Sequence, residues 1–183
     1  MEKQDNKGKV IREVFPSEIV SILGDLFGGI ILTILILKFT SFPILILIIP
    51  ALLSMRGNVS GPFIARTSRD IIIGEFDFRS WFENVLATIT LSLATSSMIG
   101  VAAILLNTFF IGLELKFIIL FFLPIISILL TLLITIPCST LLNIFVFKYG
   151  LDPNNVVGPL MNAIGDFSTV LCFYLTIIIL GVP

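Results

Sequence analysis

The chain has 183 residues, of which 57% are hydrophobic and only 13% charged, and its formal net charge is −1. A soluble domain of this size could not bury so much apolar surface, so the composition predicts an all-α integral membrane protein with apolar side chains facing lipid. The charge gives no reason to expect nucleic-acid binding. With no histidine and two widely separated cysteines, the sequence also lacks zinc-finger spacing and a Cys/His nucleophile pair.

The apolar stretches predict five transmembrane helices, each with about 20 apolar residues in its centre. Ser17 follows Pro16 and is expected to cap the first helix. Prolines inside the second, fourth and fifth spans predict broken or kinked helices there, while Asp152-Pro153 is typical of a helix start. The predicted spans are, in chain order, Ser17–Leu37, Pro43–Arg69, Phe82–Gly112, Leu115–Phe147 and Pro153–Gly181.

The amino-terminal segment could be mistaken for a signal peptide, because basic residues precede an apolar run. The run is too long, it contains Glu18 and Asp25, and no cleavage pattern of small residues follows it. We therefore expect residues 1–16 to form a short cytoplasmic segment and residues 17–183 to form one five-helix domain.

The basic residues predict the orientation of the chain in the membrane. With the N-terminus inside, nine of them fall in cytoplasmic segments, Arg56 included, and only Lys38 and Lys116 fall outside. This excess follows the positive-inside rule, so we expect a multi-pass protein of the cell membrane with a cytoplasmic N-terminus and an external C-terminus.

A carboxylate, Asp166, lies in the middle of the fifth span. An ionised side chain at that depth costs at least about 2.5–3.5 kcal/mol on insertion scales, so it is expected to face a partner, a cavity or an ion path. At helical spacing Asp166 shares one face with Gly158, Asn162 and Thr169. Because these groups offer room and oxygen atoms, the stripe predicts a site for a hard cation.

Two short segments of the chain resemble each other. Asn58–Ile64 and Asn155–Met161 both read Asn-Val-x-Gly-Pro followed by two apolar residues. Gly-Pro within a span removes a backbone donor, which is tolerated only beside a cavity or a protein partner. Paired interruptions mark ion sites in transporters, so we expect Asn58, Gly61 and Asn155 to line a pore. A chance match is the alternative.

The two segments carry a family resemblance. GNVSGPFIARTSRDIIIGE resembles the second-helix signature of the MgtE-type divalent cation transporter domain, and DPNNVVGPLMNAIGDFSTVLCFYL resembles its fifth-helix signature. The resemblance covers nearly the whole chain. It implies a parallel homodimeric pore lined by the second and fifth helices, with Asp166 at the magnesium site and Asp152 at the cytoplasmic mouth. Mg²⁺ would then be both the transported ion and the ligand.

The short amino-terminal segment departs from the bacterial pattern, so we expect the chain to lack the cytoplasmic sensor modules of that pattern. The chain is more similar to one of the two repeats of the eukaryotic solute-carrier relatives. A single five-helix chain supplies only one fifth helix, so we expect it to pair with itself or with a similar chain in the lipid membrane.

Two acidic residues of the first span each allow two roles. Glu18 lies near the cytoplasmic boundary, where it is solvated or draws cations to the mouth. Asp25 lies deeper and either pairs with an arginine such as Arg66 or Arg69, or serves as an auxiliary cation group lining the pore. Gly24 and Gly28 allow close packing of this helix against another.

Three other functions remain to be weighed against passive Mg²⁺ flow. Exchange of a divalent cation against Na⁺ would differ in its dependence on a Na⁺ gradient. A membrane scaffold that does not transport would use Asp166 only as the partner of an arginine, but no arginine or lysine is expected at its depth. An enzyme is not expected, since no nucleophile and base cluster. The residues do not distinguish Mg²⁺ from Mn²⁺, Ca²⁺ or Co²⁺.

Overall fold

The computed structural model describes residues 7–35, 41–112 and 115–182. Within these residues the chain folds into five long helices, each long and apolar enough to cross a membrane. The expected all-α architecture with five spans is confirmed, and the chain is a multi-pass membrane protein. The helices are α1 (Lys7–Ile34), α2 (Ile44–Ile73), α3 (Phe78–Leu106), α4 (Phe117–Lys148) and α5 (Pro153–Ile179).

The first helix begins ten residues earlier than predicted, and Ser17 is not its cap. The Ser17 hydroxyl lies inside α1 and donates to the carbonyl oxygen of Val14 at 2.7 Å. The helix continues through Pro16, because its first turns extend along the start of α5 and gain contacts there. The predicted end of this span, Leu37, lies outside the described residues.

The start of the last helix agrees with the prediction. Asp152 has an extended backbone, and its Oδ1 accepts a hydrogen bond from the Asn154 N–H at 2.9 Å. Pro153 occupies the first helical position, where no backbone donor is needed. Asp152 is therefore the N-cap of α5, as its place before Pro153 indicated.

The interruptions predicted at the two Gly-Pro pairs are not found. α2 is helical through Pro50 and Pro62, and α5 is helical through Pro159. Each proline removes one backbone hydrogen bond, but the bonds of the neighbouring turns hold the helix on both sides. Bending of α2, α4 and α5 stays a prediction.

The packing of the helices places α5 beside α1, α2 and α4. α1 approaches α5 closely at Gly24, where an added Cβ atom would lie 2.6 Å from the Cβ of Ala163. One turn later an added Cβ at Gly28 would lie 3.8 Å from the Cα of Phe167. Gly24 thus allows the close packing expected of it, whereas the distance at Gly28 is an ordinary van der Waals contact that an alanine could also make. Both positions lie against the turns of α5 around residue 166.

Hydroxyl groups of α3 mostly bond to their own helix, as expected for a membrane span. Thr88, Thr90 and Thr95 donate to carbonyl oxygens four residues earlier at 2.8 Å. Between helices, the Trp81 Nε1–H donates to the Thr140 hydroxyl at 2.9 Å, which joins α3 to α4. These hydroxyls therefore stabilise α3 and its contact with α4.

Candidate cation site between α2 and α5

A polar cleft of about 310 Å³ separates α2 from the first half of α5. Its walls are formed by small, hydroxyl and amide side chains with a single charged group. We call it the α2–α5 cleft, and its lining residues are Arg56, Gly57, Ser60, Gly61, Ile64, Ala65 and Ser68 of α2, and Pro153, Asn154, Gly158 and Asn162 of α5.

The two repeated segments face each other across this cleft through their glycines. Gly61 and Gly158 both line it, and an added Cβ atom at either position would meet nothing within 4 Å. Asn154 and Asn162 lie one helical turn on either side of Gly158, so three residues of α5 face the cleft at a spacing of four. Asp166 is the next position in this series.

Asp166 is the central residue of α5 and forms an ion pair with Arg56 of α2. Nη2 of Arg56 donates to Oδ1 of Asp166, and Nη1 donates to the carbonyl oxygen of Met161 at 3.3 Å. The Arg56 side chain is only 3% exposed, whereas the Asp166 side chain is 34% exposed. The arginine thus approaches the carboxylate from the protein interior, and part of the carboxylate stays open.

This ion pair corrects two expectations about Arg56. The residue was counted among the cytoplasmic segments, and no basic group was expected at the depth of Asp166. Both were wrong, because α2 stays helical through this region and carries Arg56 into the packed interface with α5. The cytoplasmic excess of the remaining basic residues and the orientation of the chain stay predictions.

The start of α5 is held by Glu13 of α1. Oε2 of Glu13 accepts hydrogen bonds from Asn155 Nδ2 at 2.9 Å and from the Asp152 N–H at 3.4 Å. Its side chain is 7% exposed, so this is a nearly buried carboxylate at a helix N-terminus, where negative charge is stabilised. Asn155 was expected to line a pore, but the structure places its amide against Glu13 and it is not in the α2–α5 cleft.

Other predicted site residues lie apart from the cleft. Thr169 is buried, and its hydroxyl donates to the Gly165 carbonyl oxygen at 2.7 Å. Asn58 is exposed on α2 and does not line the cleft. Asp25 is exposed and lies close enough to Asp166 and Arg56 to interact with them electrostatically. Among the described residues it forms no ion pair with Arg66 or Arg69.

Glu18 is exposed on α1 and interacts electrostatically with Asp25. Among the described residues it forms no hydrogen bond or ion pair with the start of α5, where Glu13 is the acceptor instead. Within the described residues, no three His, Cys, Asp or Glu side chains gather as a metal-binding group. A single chain therefore offers a cation few direct ligands.

Sequence reasoning missed Arg56 and Glu13. The signal for Arg56 was available, since it is a lone cation in the apolar run ALLSMRGN, two residues before the first repeat. A charge in such a run is expected to have a partner, and Asp166 is the carboxylate at matching depth on an antiparallel helix. Glu13 carried no such signal, because it lies in a charged segment that has no apolar pattern of its own.

The fold and the cleft together define a helical membrane protein with a polar path between two of its spans. A family model described as "Divalent cation transporter" matches residues 49–176, which is more than two thirds of the chain and includes most of α2 and α5 with both repeats. The chain belongs to this family, MgtE, and it is a divalent cation transporter, not an enzyme. Comparisons with curated proteins and with solved structures gave no match.

Proposed function

We propose that the protein carries Mg²⁺ across the membrane through a homodimeric pore lined by α2 and α5, with Asp166 as the central ligand. One observation carries the proposal: both repeated segments converge on one polar cleft, and this cleft is lined by Arg56, the ion-pair partner of the carboxylate at the centre of α5. A polar cleft beside an intramembrane carboxylate is typical of an ion pathway.

The chemistry of the cleft suits a hydrated divalent cation. Mg²⁺ sheds water reluctantly and usually binds through one or two carboxylates while several waters remain. Asp166 would supply the carboxylate, and the amide of Asn162, one turn away, would accept or donate hydrogen bonds to the retained waters. The two glycines, Gly61 and Gly158, keep the cleft wide enough for an ion that keeps part of its water shell.

The exposed polar side chains favour a second copy of the chain as the partner of this surface. Asn58, Asn154 and Asn162 are exposed along α2 and α5. Lipid tails offer no hydrogen bonds, so polar groups at membrane depth are expected to face protein or water. A two-fold axis beside α2 and α5 would cover these groups and bring two Asp166 carboxylates to one cation.

Three further carboxylates extend the proposed path. Asp152 caps the start of α5, which is proposed to lie on the cytoplasmic side. Together with Glu18 it would attract cations to the mouth of the pore. Asp25 is close enough to Asp166 to interact with it electrostatically, and it would serve as an auxiliary cation group. Flow would be passive and driven by the membrane potential, because a fixed pore needs no coupling ion.

The test is Mg²⁺ flux into liposomes that contain the purified protein and a magnesium-sensitive dye. We expect Asp166→Ala to abolish flux and Asp166→Asn to lower it at least tenfold, since the asparagine keeps the shape but removes the charge, an estimate of about 2 kcal/mol or more for a lost charge interaction. Asp70→Asn is the matched control, because Asp70 lies in the last turn of α2 and does not line the cleft. It should transport like the parent. Parent-like flux in Asp166→Asn would end the proposal.

The dimer is tested by disulfide crosslinking in a background with Cys138→Ala and Cys172→Ala. We expect Asn162→Cys to form an intermolecular disulfide under mild oxidation in membranes, because the proposed axis lies beside this face of α5. Gly29→Cys, exposed on α1 with open space around it, is the control and should stay monomeric. Full transport by a chain that remains monomeric would contradict the dimeric pore.

A further inference from the structure

Arg56 is the charged side chain most completely removed from the surface in this site. It is 3% exposed, and its Nε has no hydrogen-bond partner among the described residues. A buried guanidinium is tolerated when an anion and further acceptors surround it. Here the hydrogen bonds of the guanidinium all run to α5, so Arg56 belongs to the interface between α2 and α5, next to Asp166.

The structure holds the guanidinium in one place. Besides Asp166 and the Met161 carbonyl, Nη2 lies 3.5 Å from the carbonyl oxygen of Asn162. Gly165 makes room for it, because an added Cβ atom at that position would lie 2.1 Å from Nη1 and 2.5 Å from Cζ of Arg56. The guanidinium thus fills the space that a side chain at position 165 would need.

The two members of the ion pair differ in access. Arg56 is buried and lines the α2–α5 cleft, whereas Asp166 keeps about a third of its side-chain surface open. A cation can therefore approach the open side of Asp166 without removing Arg56. Its binding is then opposed by a fixed positive charge a few ångströms away, and this repulsion is strong where water is scarce.

A conducting site needs an affinity that lets the ion enter and also lets it leave. A pair of bare carboxylates from two copies would hold a divalent cation tightly in a membrane interior. With an arginine beside each carboxylate the empty site is neutral, so the attraction is reduced and release is faster. The cost of keeping an empty site in the membrane is reduced as well.

We propose that Arg56 is a built-in counter-charge that weakens divalent cation binding at Asp166 and thereby speeds release. The inference deepens the proposed function and rests on it, because it assumes that Asp166 binds the transported ion. Arg56 acts through Asp166 and is a positioning residue that does not itself contact the cation.

The decisive variant is Arg56→Gln, which keeps amide donors for Asp166 and the α5 carbonyls but removes the charge. In the liposome assay we expect the Mg²⁺ concentration for half-maximal flux to fall at least about tenfold and maximal flux to fall with it. Arg56→Lys keeps the charge and should stay within about threefold of the parent in both quantities. A purely structural role for Arg56 predicts less folded protein with unchanged half-saturation.

Gly165→Ala provides a second route that leaves both charges in the chain. Its methyl group would displace the guanidinium from Asp166, so we expect half-saturation to fall in the same direction as in Arg56→Gln. This variant keeps the inference testable if Arg56→Gln does not fold. If the variant that folds shows an unchanged or higher Mg²⁺ concentration for half-maximal flux, the inference is overturned.

Failure of the inference and failure of the proposed function are separable in one set of measurements. Loss of flux in Asp166→Asn together with unchanged half-saturation in Arg56→Gln overturns only the role of Arg56. Normal flux in Asp166→Asn overturns the proposed function itself. A tenfold fall in half-saturation in Arg56→Gln, absent from Arg56→Lys, supports both.

Discussion

The two repeated segments share a sequence pattern but occupy different parts of their helices. Asn58–Ile64 lies in the middle of α2, whereas Asn155–Met161 lies in the first turns of α5. The glycines of both line the same cleft, and the valines that follow each asparagine are buried. The asparagines differ, because Asn58 is exposed and Asn155 donates to Glu13.

The comparison shows that the glycines have the same role in both segments, whereas the asparagines do not. Gly61 and Gly158 provide space in both copies: they lie within regular helix, have no positive φ, and their missing side chains leave the cleft open. Asn58 and Asn155 have different roles. Asn155 fixes the start of α5 to α1, and Asn58 lies on an exposed face of α2 that the proposed partner chain would cover.

The largest effect is expected from closing the cleft at the shared glycines. Gly158→Leu and Gly61→Leu would each fill part of the α2–α5 cleft, and the Cβ atom at either position would meet nothing within 4 Å. Folding should therefore be retained, while flux falls at least about tenfold through loss of space for a hydrated ion. Liposome flux and thermal unfolding in detergent measure the two quantities separately.

Gly29→Leu is the control for this pair, since Gly29 lies in a helix with open space around it but away from the cleft. It should leave flux unchanged. If Gly158→Leu and Gly61→Leu transport like Gly29→Leu, the cleft is not the ion path, and the agreement of the two repeats at their glycines has another cause.

A smaller effect is expected from removing the contact that only the second repeat makes. Glu13→Ala leaves the Asn155 amide and the Asp152 N–H without their acceptor, which should lower the free energy of unfolding by about 1–3 kcal/mol. Glu18→Ala removes an exposed carboxylate from the same helix and should change it by no more than about 0.5 kcal/mol. Chemical or thermal unfolding in detergent measures the difference. Equal effects in the two variants would show that Glu13 does not hold the start of α5.

The sequence predicted the elements that apolar length and local capping control. Five spans of about 20 apolar residues and the Asp152-Pro153 start of α5 follow from short-range rules. The start of α1 did not, because residues 7–16 are helical through contacts with α5 that no local pattern encodes. For the same reason the rule that Gly-Pro interrupts a span failed in α2, where packing on three helices holds the backbone.

The candidate site was predictable on one helix only. Gly158 and Asn162, which helical spacing put on one face of the fifth span, both line the cleft. The same spacing included Thr169, whose hydroxyl bonds to its own backbone. The opposite wall depends on which turn of α2 meets which turn of α5. Pairing between distant helices is set by tertiary packing, so Arg56 and its contact with Gly165 required the structure.

The most direct test of the central claim is to locate a bound divalent cation. Crystals of the full chain grown with Mn²⁺ and measured at the manganese absorption edge would mark the ion without assumptions about flux. We expect a manganese peak beside the open side of the Asp166 carboxylate, next to the α2–α5 cleft, and no such peak in Asp166→Asn. Manganese bound only at exposed carboxylates such as Glu75 and Asp77, with the surroundings of Asp166 empty, would contradict the account.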